Sequence, residues 1–139
     1  MRLMGLDLGA LTLGVALSDP SGTLATGIET IRRDSENKLR ETLRRLEQIC
    51  RDNEVTLIVL GLPLSMDGRI SERAEKTLAF AKKLEARLSL PVVMQDERLT
   101  SVEAEQIMAE QGLDRKEIKK RVDTLAAEII LQDYLNGKT

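Results

Sequence analysis

Three acidic positions of this sequence lie where an ionised carboxylate is costly, which makes them the first candidates for chemistry. Asp7 lies inside the stretch 2–8, which is apolar apart from Arg2 and Asp7 itself. Lost hydration of the carboxylate there costs several kcal/mol unless a partner compensates for it. Asp96 and Glu97 end a short apolar stretch, and Asp123 shares a helix face with small and apolar residues. Because binding residues gather at the carboxyl ends of strands in α/β sheets, we expect these acids to lie together.

Three carboxylates at one place repel one another, and each should have a raised pKa unless a cation balances them. The 139 residues contain no histidine and one cysteine, Cys50, which excludes a Ser-His-Asp triad, a histidine-ligated metal and a multi-cysteine zinc site. An all-oxygen site favours Mg²⁺ or Mn²⁺ over Zn²⁺. The sequence therefore predicts a divalent-metal site, with Asp7, Asp96, Glu97 and Asp123 as candidate ligands.

Each acid also has a purely structural interpretation. A lone aspartate in a strand, such as Asp7, is often a turn or ion-pair residue. Residues 96–98 (Asp-Glu-Arg) can form an ion pair at the surface, and Asp123 can pair with Lys119. The joint arrangement of the acids favours the metal site more than any single residue does.

Basic residues are concentrated immediately before the last of these acids. Residues 115–121 carry five bases and one acid in a chain of net charge −2, which predicts a local basic patch on a weakly acidic body. The patch is interpreted either as a phosphate-binding surface or as a solvated helix start. One Phe, one Tyr and no Trp almost exclude platforms for stacking bases. The candidate nucleic-acid-binding residues are Arg98, Lys116, Lys119, Lys120 and Arg121.

Hydrophobic periodicity predicts the elements that must position these residues. Strands are predicted at 2–8, 13–18, 24–31, 55–61 and 91–94, and helices at 34–52, 71–88, 100–110 and 115–135. The first three strands form an antiparallel meander, after which strands and helices alternate. This β-β-β-α-β-α-β-α-α order predicts an α/β fold with a mixed five-stranded sheet and helices on both faces. The length fits a single domain over residues 1–139.

Three further features are interpreted as structural. The basic residues from Arg32 to Arg45 are interleaved with acids and are interpreted mainly as a solvated helix face with i,i+4 pairs. Cys50 lies on an apolar helix face and is predicted to be a core residue. The stretch from Gly61 to Ile70 is rich in turn residues, and it is interpreted either as a mobile loop beside the cleft or as a turn into the next helix.

The sequence contains no feature that predicts contact with a membrane. No apolar stretch approaches the roughly 20 residues that a spanning helix needs. The first seven residues contain an acid and a glycine too early for a signal peptide. We therefore expect a cytoplasmic protein with no membrane partner.

Four stretches in this order resemble the bacterial YqgF/RuvX family, which is described both as Holliday junction resolvases and as nucleases for the 5′ end of pre-16S ribosomal RNA. The stretches are GLDLGALTLGVALSD at 5–19, LGLPLSMDG at 60–68, DERLTSVEA at 96–104 and VDTLAAEIILQ at 122–132. The resemblance covers nearly the whole chain and implies an RNase H-like fold. It places the acidic site of the family on Asp7, the pair Asp96 and Glu97, and Asp123, with Glu97 favoured within the pair.

One turn departs from the family pattern. After the first glycine the family usually shows Thr-Lys-Arg/Ser-Ile-Gly, whereas residues 10–14 here are Ala-Leu-Thr-Leu-Gly. The departure removes a hydroxyl and a base that would contact a phosphate at this turn. It leaves the acids unchanged.

The leading hypothesis is a metal-dependent nuclease acting on structured RNA. Two metal ions would be bridged by Asp7, with Glu97 and Asp123 each completing one of them, and these three acids are the candidate catalytic residues. The first alternative keeps this chemistry and changes the substrate to branched DNA. Symmetrical cutting of branched DNA requires a homodimer, whereas a monomer suffices for the other hypotheses. The second is a non-catalytic nucleic-acid-binding module, which the altered turn favours. An actin-like ATPase would need two such domains around its nucleotide, and the chain supplies one.

Overall fold

The structure, a computed structural model, describes residues 2–65, 67–97 and 100–137, without the side chains of 100–103, 119 and 120. Three of the candidate nucleic-acid-binding side chains, those of Arg98, Lys119 and Lys120, therefore lie outside the described part. Within the described residues no helix is long and apolar enough to cross a membrane.

Five strands and four helices follow one another in the predicted order. The strands are β1 (Arg2–Leu8), β2 (Thr12–Ser18), β3 (Ala25–Arg32), β4 (Val55–Leu62) and β5 (Val92–Asp96). The helices are α1 (Arg40–Asp52), α2 (Glu72–Leu88), α3 (Thr100–Glu110) and α4 (Arg115–Gly137). The elements thus occur in the order β1-β2-β3-α1-β4-α2-β5-α3-α4, as the hydrophobic pattern predicts.

The largest difference from the predicted boundaries is at α1, which begins at Arg40 and not at residue 34. The preceding residues form turns, in which the Lys38 amide donates to the Ser35 carbonyl (3.1 Å) and the Leu39 amide to the Asn37 carbonyl (3.1 Å). Serine and asparagine favour such local turns over a helix interior. The segment between β3 and α1 is therefore a loop.

The sheet is mixed, with the strand order β3-β2-β1-β4-β5. β1 pairs with β2, and β2 with β3, in antiparallel fashion, whereas β1 with β4 and β4 with β5 are parallel. The prediction of a mixed five-stranded sheet with an antiparallel first half is confirmed. Because β1, β4 and β5 run in the same direction, their carboxyl ends lie at one edge, which is where the predicted acids of β1 and β5 occur.

Helices cover both faces of the sheet. On one face Met4, Leu6 and Leu8 of β1 pack with residues of α1 and α2, including Cys50, which is a core residue as predicted. On the other face Leu3 packs with residues of α4. Since side chains alternate along a strand, Asp7 points to the face that α4 covers.

Glycines let α4 lie very close to the sheet. A Cβ atom on Gly5 would lie 2.9 Å from the Ala127 carbonyl oxygen. A Cβ on Gly14 would overlap the Asp123 carbonyl oxygen and lie 2.6 Å from the carbonyl carbon. The backbone of α4 thus crosses β2 at Gly14, the residue that pairs with Asp7 in the sheet.

Candidate active site

Asp7 is a buried acid at the carboxyl end of β1, with 9% of its surface exposed. Its neighbour in β2 is Gly14, whose lack of a side chain leaves room for α4. The apolar residues on both sides of Asp7 in the sequence belong to the opposite core. The strand therefore positions one carboxyl group between the sheet and α4.

Glu97 is brought to Asp7 from the end of β5. Its amide donates to the Leu62 carbonyl (3.2 Å), and its carboxyl group lies over Gly61, where a Cβ atom would be 2.8 Å from Glu97 Cδ. The side chains of Glu97 and Asp7 are hydrogen-bonded to each other. Asp96, the last residue of β5, is exposed. Of the two adjacent acids, the structure places Glu97 against Asp7.

Asp123 approaches from α4 at its crossing with β2. Its side chain is partly buried, and its negative charge contributes to raising the pKa of Asp7. Across the described ranges, however, no group of three His, Cys, Asp or Glu residues is arranged to hold a metal ion. The predicted convergence is thus a contacting pair, Asp7 and Glu97, with Asp123 within electrostatic range, and not a formed three-ligand metal site.

The two contacting acids have strongly raised pKa values. Burial raises the pKa of Asp7 to about 6, the hydrogen bond from Glu97 lowers it, and the charge of Asp123 raises it again. Burial also raises the pKa of Glu97 to about 9, with further increases from the charge and the hydrogen bond of Asp7. Between these values the two carboxyl groups share one proton.

Arg73 of α2 is a functional candidate that sequence analysis does not find. Its Nη2 donates to the Leu8 carbonyl (3.1 Å), and its Nη1 lies 2.9 Å from Glu36 Oε1. Its positive charge lowers the pKa values of Asp7 and Glu97. The guanidinium therefore lies beside the acids and favours their ionised forms.

Arg33 brings a positive charge to the β1–β2 turn, which has no basic residue of its own. Its guanidinium donates to the carbonyls of Gly9 (2.7 Å), Ala10 (2.8 Å) and Thr12 (3.2 Å). The interpretation of 32–45 as a solvated helix face is therefore wrong for Arg33, which precedes α1. Further along, Arg44 is exposed on the helix and pairs with Glu41 (3.7 Å), three residues away and not the predicted four, whereas Arg45 pairs with Glu29 of β3 (2.6 Å).

The basic stretch 115–121 forms the start of α4. Asp114 Oδ1 accepts from the Glu117 amide (2.9 Å) and so caps this helix. Lys116 and Arg121 are exposed. Both the phosphate-binding and the solvated interpretations fit this placement.

The stretch Gly61–Ile70 is shorter as a loop than predicted, because Gly61 and Leu62 are the last residues of β4. A local network closes the loop between β4 and α2: the Arg69 amide donates to Ser65 Oγ (3.1 Å), and Arg69 Nε lies 2.9 Å from Asp67 Oδ2. These contacts favour the interpretation as a turn into α2. Gly61 has a separate role, since its missing side chain makes room for Glu97.

Replacing Glu97 by Gln is expected to stabilise the protein increasingly as pH rises. The pKa of Glu97 is raised from 4.5 to about 9 in the folded state, so the folded protein binds more protons than the unfolded one in this window and loses stability with rising pH. Gln carries no charge to desolvate, which should add on the order of 2 kcal/mol at pH 7. Urea unfolding at pH 5, 7 and 9 in the presence of chelator measures the difference.

The matched control for this experiment is Glu110→Gln, which removes an exposed acid from α3. It should show no increase in stability with pH relative to the native protein. Equal curves for Glu97→Gln and Glu110→Gln would show that Glu97 is not held in a desolvated environment.

The chain matches known proteins along almost its whole length. Residues 1–137 match the family model RuvX, described as Holliday junction resolvase. Among similar proteins, one from Lachnospira eligens is 50% identical over 138 residues, covering 99% of both chains. One from Clostridium acetobutylicum is 48% identical, also covering 99% of both, and one from Listeria monocytogenes serovar 1/2a is 47% identical, covering 98% of both. All three carry the name "Putative pre-16S rRNA nuclease".

Solved structures of resolvases share the fold. Thermus thermophilus RuvC in complex with a Holliday junction substrate has a TM-score of 0.58 at 13% identity, covering 99% of this chain and 96% of that one. The fowlpox virus resolvase in complex with Holliday junction DNA has a TM-score of 0.56 at 12% identity, covering 98% and 97%. The expected RNase H-like fold is confirmed.

Proposed function

This chain belongs to the RuvX family, and from that membership we propose that the acids at the end of β1 form the catalytic centre of a nuclease. Membership of this nuclease family makes the chain a hydrolase acting on phosphodiester bonds. The proposed catalytic residues are Asp7, Glu97 and Asp123. The observation that carries the assignment is the hydrogen bond between the carboxyl groups of the buried Asp7 and the partly buried Glu97, because such a pair lowers the stability of the fold and is typical of functional sites.

Asp7 and Glu97 have the chemistry that a divalent-metal site requires. Both offer oxygen donors, which Mg²⁺ and Mn²⁺ prefer, and their shared proton marks a place where a positive charge is favoured. We propose that Mg²⁺ or Mn²⁺ replaces this proton and that Asp123 contributes further negative charge from α4. Asp96, the fourth candidate ligand, is exposed and is assigned to the rim of the site.

The chain supplies the positioning that hydrolysis needs. A bound cation would relieve charge on the phosphoryl oxygens and activate a water molecule. Arg73 holds the Leu8 carbonyl (3.1 Å) and so fixes the end of β1 that carries Asp7. Its charge also favours the ionised forms of both acids, which are the forms that bind metal.

The substrate that we propose is the 5′ end of pre-16S ribosomal RNA, which places the protein in the cytoplasm. Support comes from the name carried by relatives at 47–50% identity over almost the whole chain. Branched DNA is the second candidate, favoured by the fold shared with two resolvases whose structures contain Holliday junctions. Because these two resolvases are only 12–13% identical to the chain, their similarity shows the fold and not the substrate. The names of the more similar relatives therefore carry more weight in the choice of substrate.

A cleavage assay with two substrates tests this proposal. The native protein is incubated with labelled pre-16S RNA carrying its 5′ extension and, separately, with a four-way DNA junction, in Mg²⁺, Mn²⁺ or chelator. We expect the RNA to be cut with either metal and not with chelator. The rate should rise between pH 6 and pH 9, because the proton shared by Asp7 and Glu97 competes with the cation below about 9.

Three outcomes would contradict parts of the proposal. Symmetrical cutting of the junction by a dimer, with the RNA left intact, would replace the RNA substrate by branched DNA. Cutting that persists in chelator would remove the metal from the proposal. Cutting of neither substrate, with tight binding of one of them, would favour the non-catalytic binding module.

A further inference from the structure

A small cavity of about 130 Å³ lies on the α1 and α2 side of the sheet, beside the end of β1. Its lining includes three basic residues, Arg33, Lys76 and Lys83, and one acid, Glu36. Leu8 and Phe80 provide apolar contact surface. These six residues are called the basic pocket below.

The basic pocket adjoins the acidic site. Leu8, which lines the pocket, directly follows Asp7 in β1. Arg73 donates to the Leu8 carbonyl (3.1 Å) and lowers the pKa values of both acids, so its guanidinium lies between the pocket and the acidic site. The pocket lies on the α1 and α2 face of the sheet and the Asp7 side chain on the α4 face, so a nucleic-acid strand held at Asp7 would reach the pocket across the carboxyl end of β1.

Glu36 holds the cations of this region together. Its Oε1 lies 2.9 Å from Arg73 Nη1 and 3.2 Å from Lys76 Nζ. The carboxylate thus accepts from two cations at once, which is also how a phosphate oxygen binds to protein. The Glu36 and Lys76 side chains are 35% and 47% exposed, so solvent and ligands can reach this ion pair.

Positive charge exceeds negative charge in this region. The pocket residues Arg33, Lys76 and Lys83 carry three positive charges against the one negative charge of Glu36. Beside the pocket, Arg73 adds a fourth cation and Glu72, 3.8 Å from Lys76, adds a second acid. Burial lowers the pKa of Arg33, and repulsion from the neighbouring Arg73 lowers it further. Local excess charge on a chain of net charge −2 indicates a surface for an anion.

We propose that the basic pocket binds a backbone phosphate of the same nucleic-acid strand that the acidic site cleaves, with the phosphate displacing the Glu36 carboxylate from Lys76. This proposal rests on the proposed function, because it takes the substrate to be a nucleic acid. It assigns substrate binding to α2 and the β3–α1 loop. A phosphodiester backbone is common to RNA and DNA, so the pocket itself does not select between them.

The test measures binding in chelator, where no cleavage occurs. Fluorescence anisotropy gives the Kd of labelled pre-16S RNA and of a four-way DNA junction at several salt concentrations. The double variant Lys76→Ala/Lys83→Ala should bind about tenfold more weakly, and its slope of log K against log salt should fall by about 1, because the pocket neutralises one phosphate. Glu36→Gln should bind about two- to fivefold more tightly, because a competing anion is removed.

Lys82→Ala is the matched control. Lys82 is exposed on the same helix and its removal changes the net charge as Lys83→Ala does, but it does not line the pocket. Its Kd and salt slope should equal those of the native protein, while Lys83→Ala alone weakens binding. Circular dichroism melts confirm that each variant is folded.

The result distinguishes this inference from the function on which it rests. If the native protein binds and Lys82→Ala and Lys83→Ala weaken binding equally, or Glu36→Gln leaves it unchanged, the pocket is not a phosphate site and the nuclease proposal stands. If the native protein binds neither nucleic acid at low salt, both proposals fail.

Discussion

Asp7→Asn is expected to abolish cleavage, with a loss of about 10³-fold or more, while the protein remains folded. Asn keeps the size of Asp and still accepts a hydrogen bond from Glu97, but it cannot carry the negative charge that holds a cation. Removing a carboxylate that is 9% exposed also removes a desolvation cost, so the variant should be at least as stable as the native protein at pH 7. Single-turnover cleavage of pre-16S RNA and urea unfolding measure the two effects.

The matched control for Asp7→Asn is Asp52→Asn. Asp52 is an exposed acid at the end of α1, on the other side of the sheet from α4, where it accepts from the Gln48 side chain (3.2 Å). This variant has the same change of charge and should cleave at the native rate. Native cleavage by Asp7→Asn would exclude Asp7 from the catalytic centre.

Gly14→Ala is expected to have the largest effect on stability. The new Cβ atom would overlap the backbone carbonyl of Asp123, and backbone atoms cannot rotate away as the end of a side chain can. Overpacking of this kind should cost about 3 kcal/mol, equivalent to a decrease in Tm of about 10 °C. The displacement of α4 should also move Asp123 from Asp7, so cleavage well below the Tm should fall by about tenfold or more.

Gly137→Ala is the matched control, since it is the same glycine-to-alanine change at a position without close neighbours. A Cβ at this position, the last of α4, has no neighbour within 4 Å. Its Tm and cleavage rate should equal those of the native protein. If Gly14→Ala also melts and cleaves like the native protein, α4 does not press on β2 at this point.

The acids of the candidate site are predictable because each of them can be recognised from its immediate neighbours in the sequence. Asp7 is conspicuous as the one acid of an apolar strand, and Glu97 comes directly after a second strand. Parallel strands β1, β4 and β5 end at the same edge, so the sequence order of strands and helices suffices to bring the two acids together. The same reasoning does not set side-chain distances, so it does not distinguish Glu97, which is hydrogen-bonded to Asp7, from Asp123, which acts on Asp7 through its charge.

The basic residues around the acids are not predictable in this way. Arg33 and Arg73 bind the carbonyls of Gly9 and Leu8, and backbone carbonyls occur at every position, so no sequence pattern marks the partner. The contacts exist only because the β3–α1 loop and α2 dock beside the end of β1. The role of Gly61 is not predictable either. The sequence Gly-Leu-Pro has the pattern of a turn, whereas in the structure the missing side chain of Gly61 makes room for Glu97.

The three proposed catalytic acids come from the first strand, the residue after the fifth strand and the last helix. Translation delivers these parts in that order, so α4 cannot dock against β2 until residues 115–137 have been made. If the proposed site is correct, a growing polypeptide that lacks α4 also lacks Asp123 and should not cleave nucleic acid.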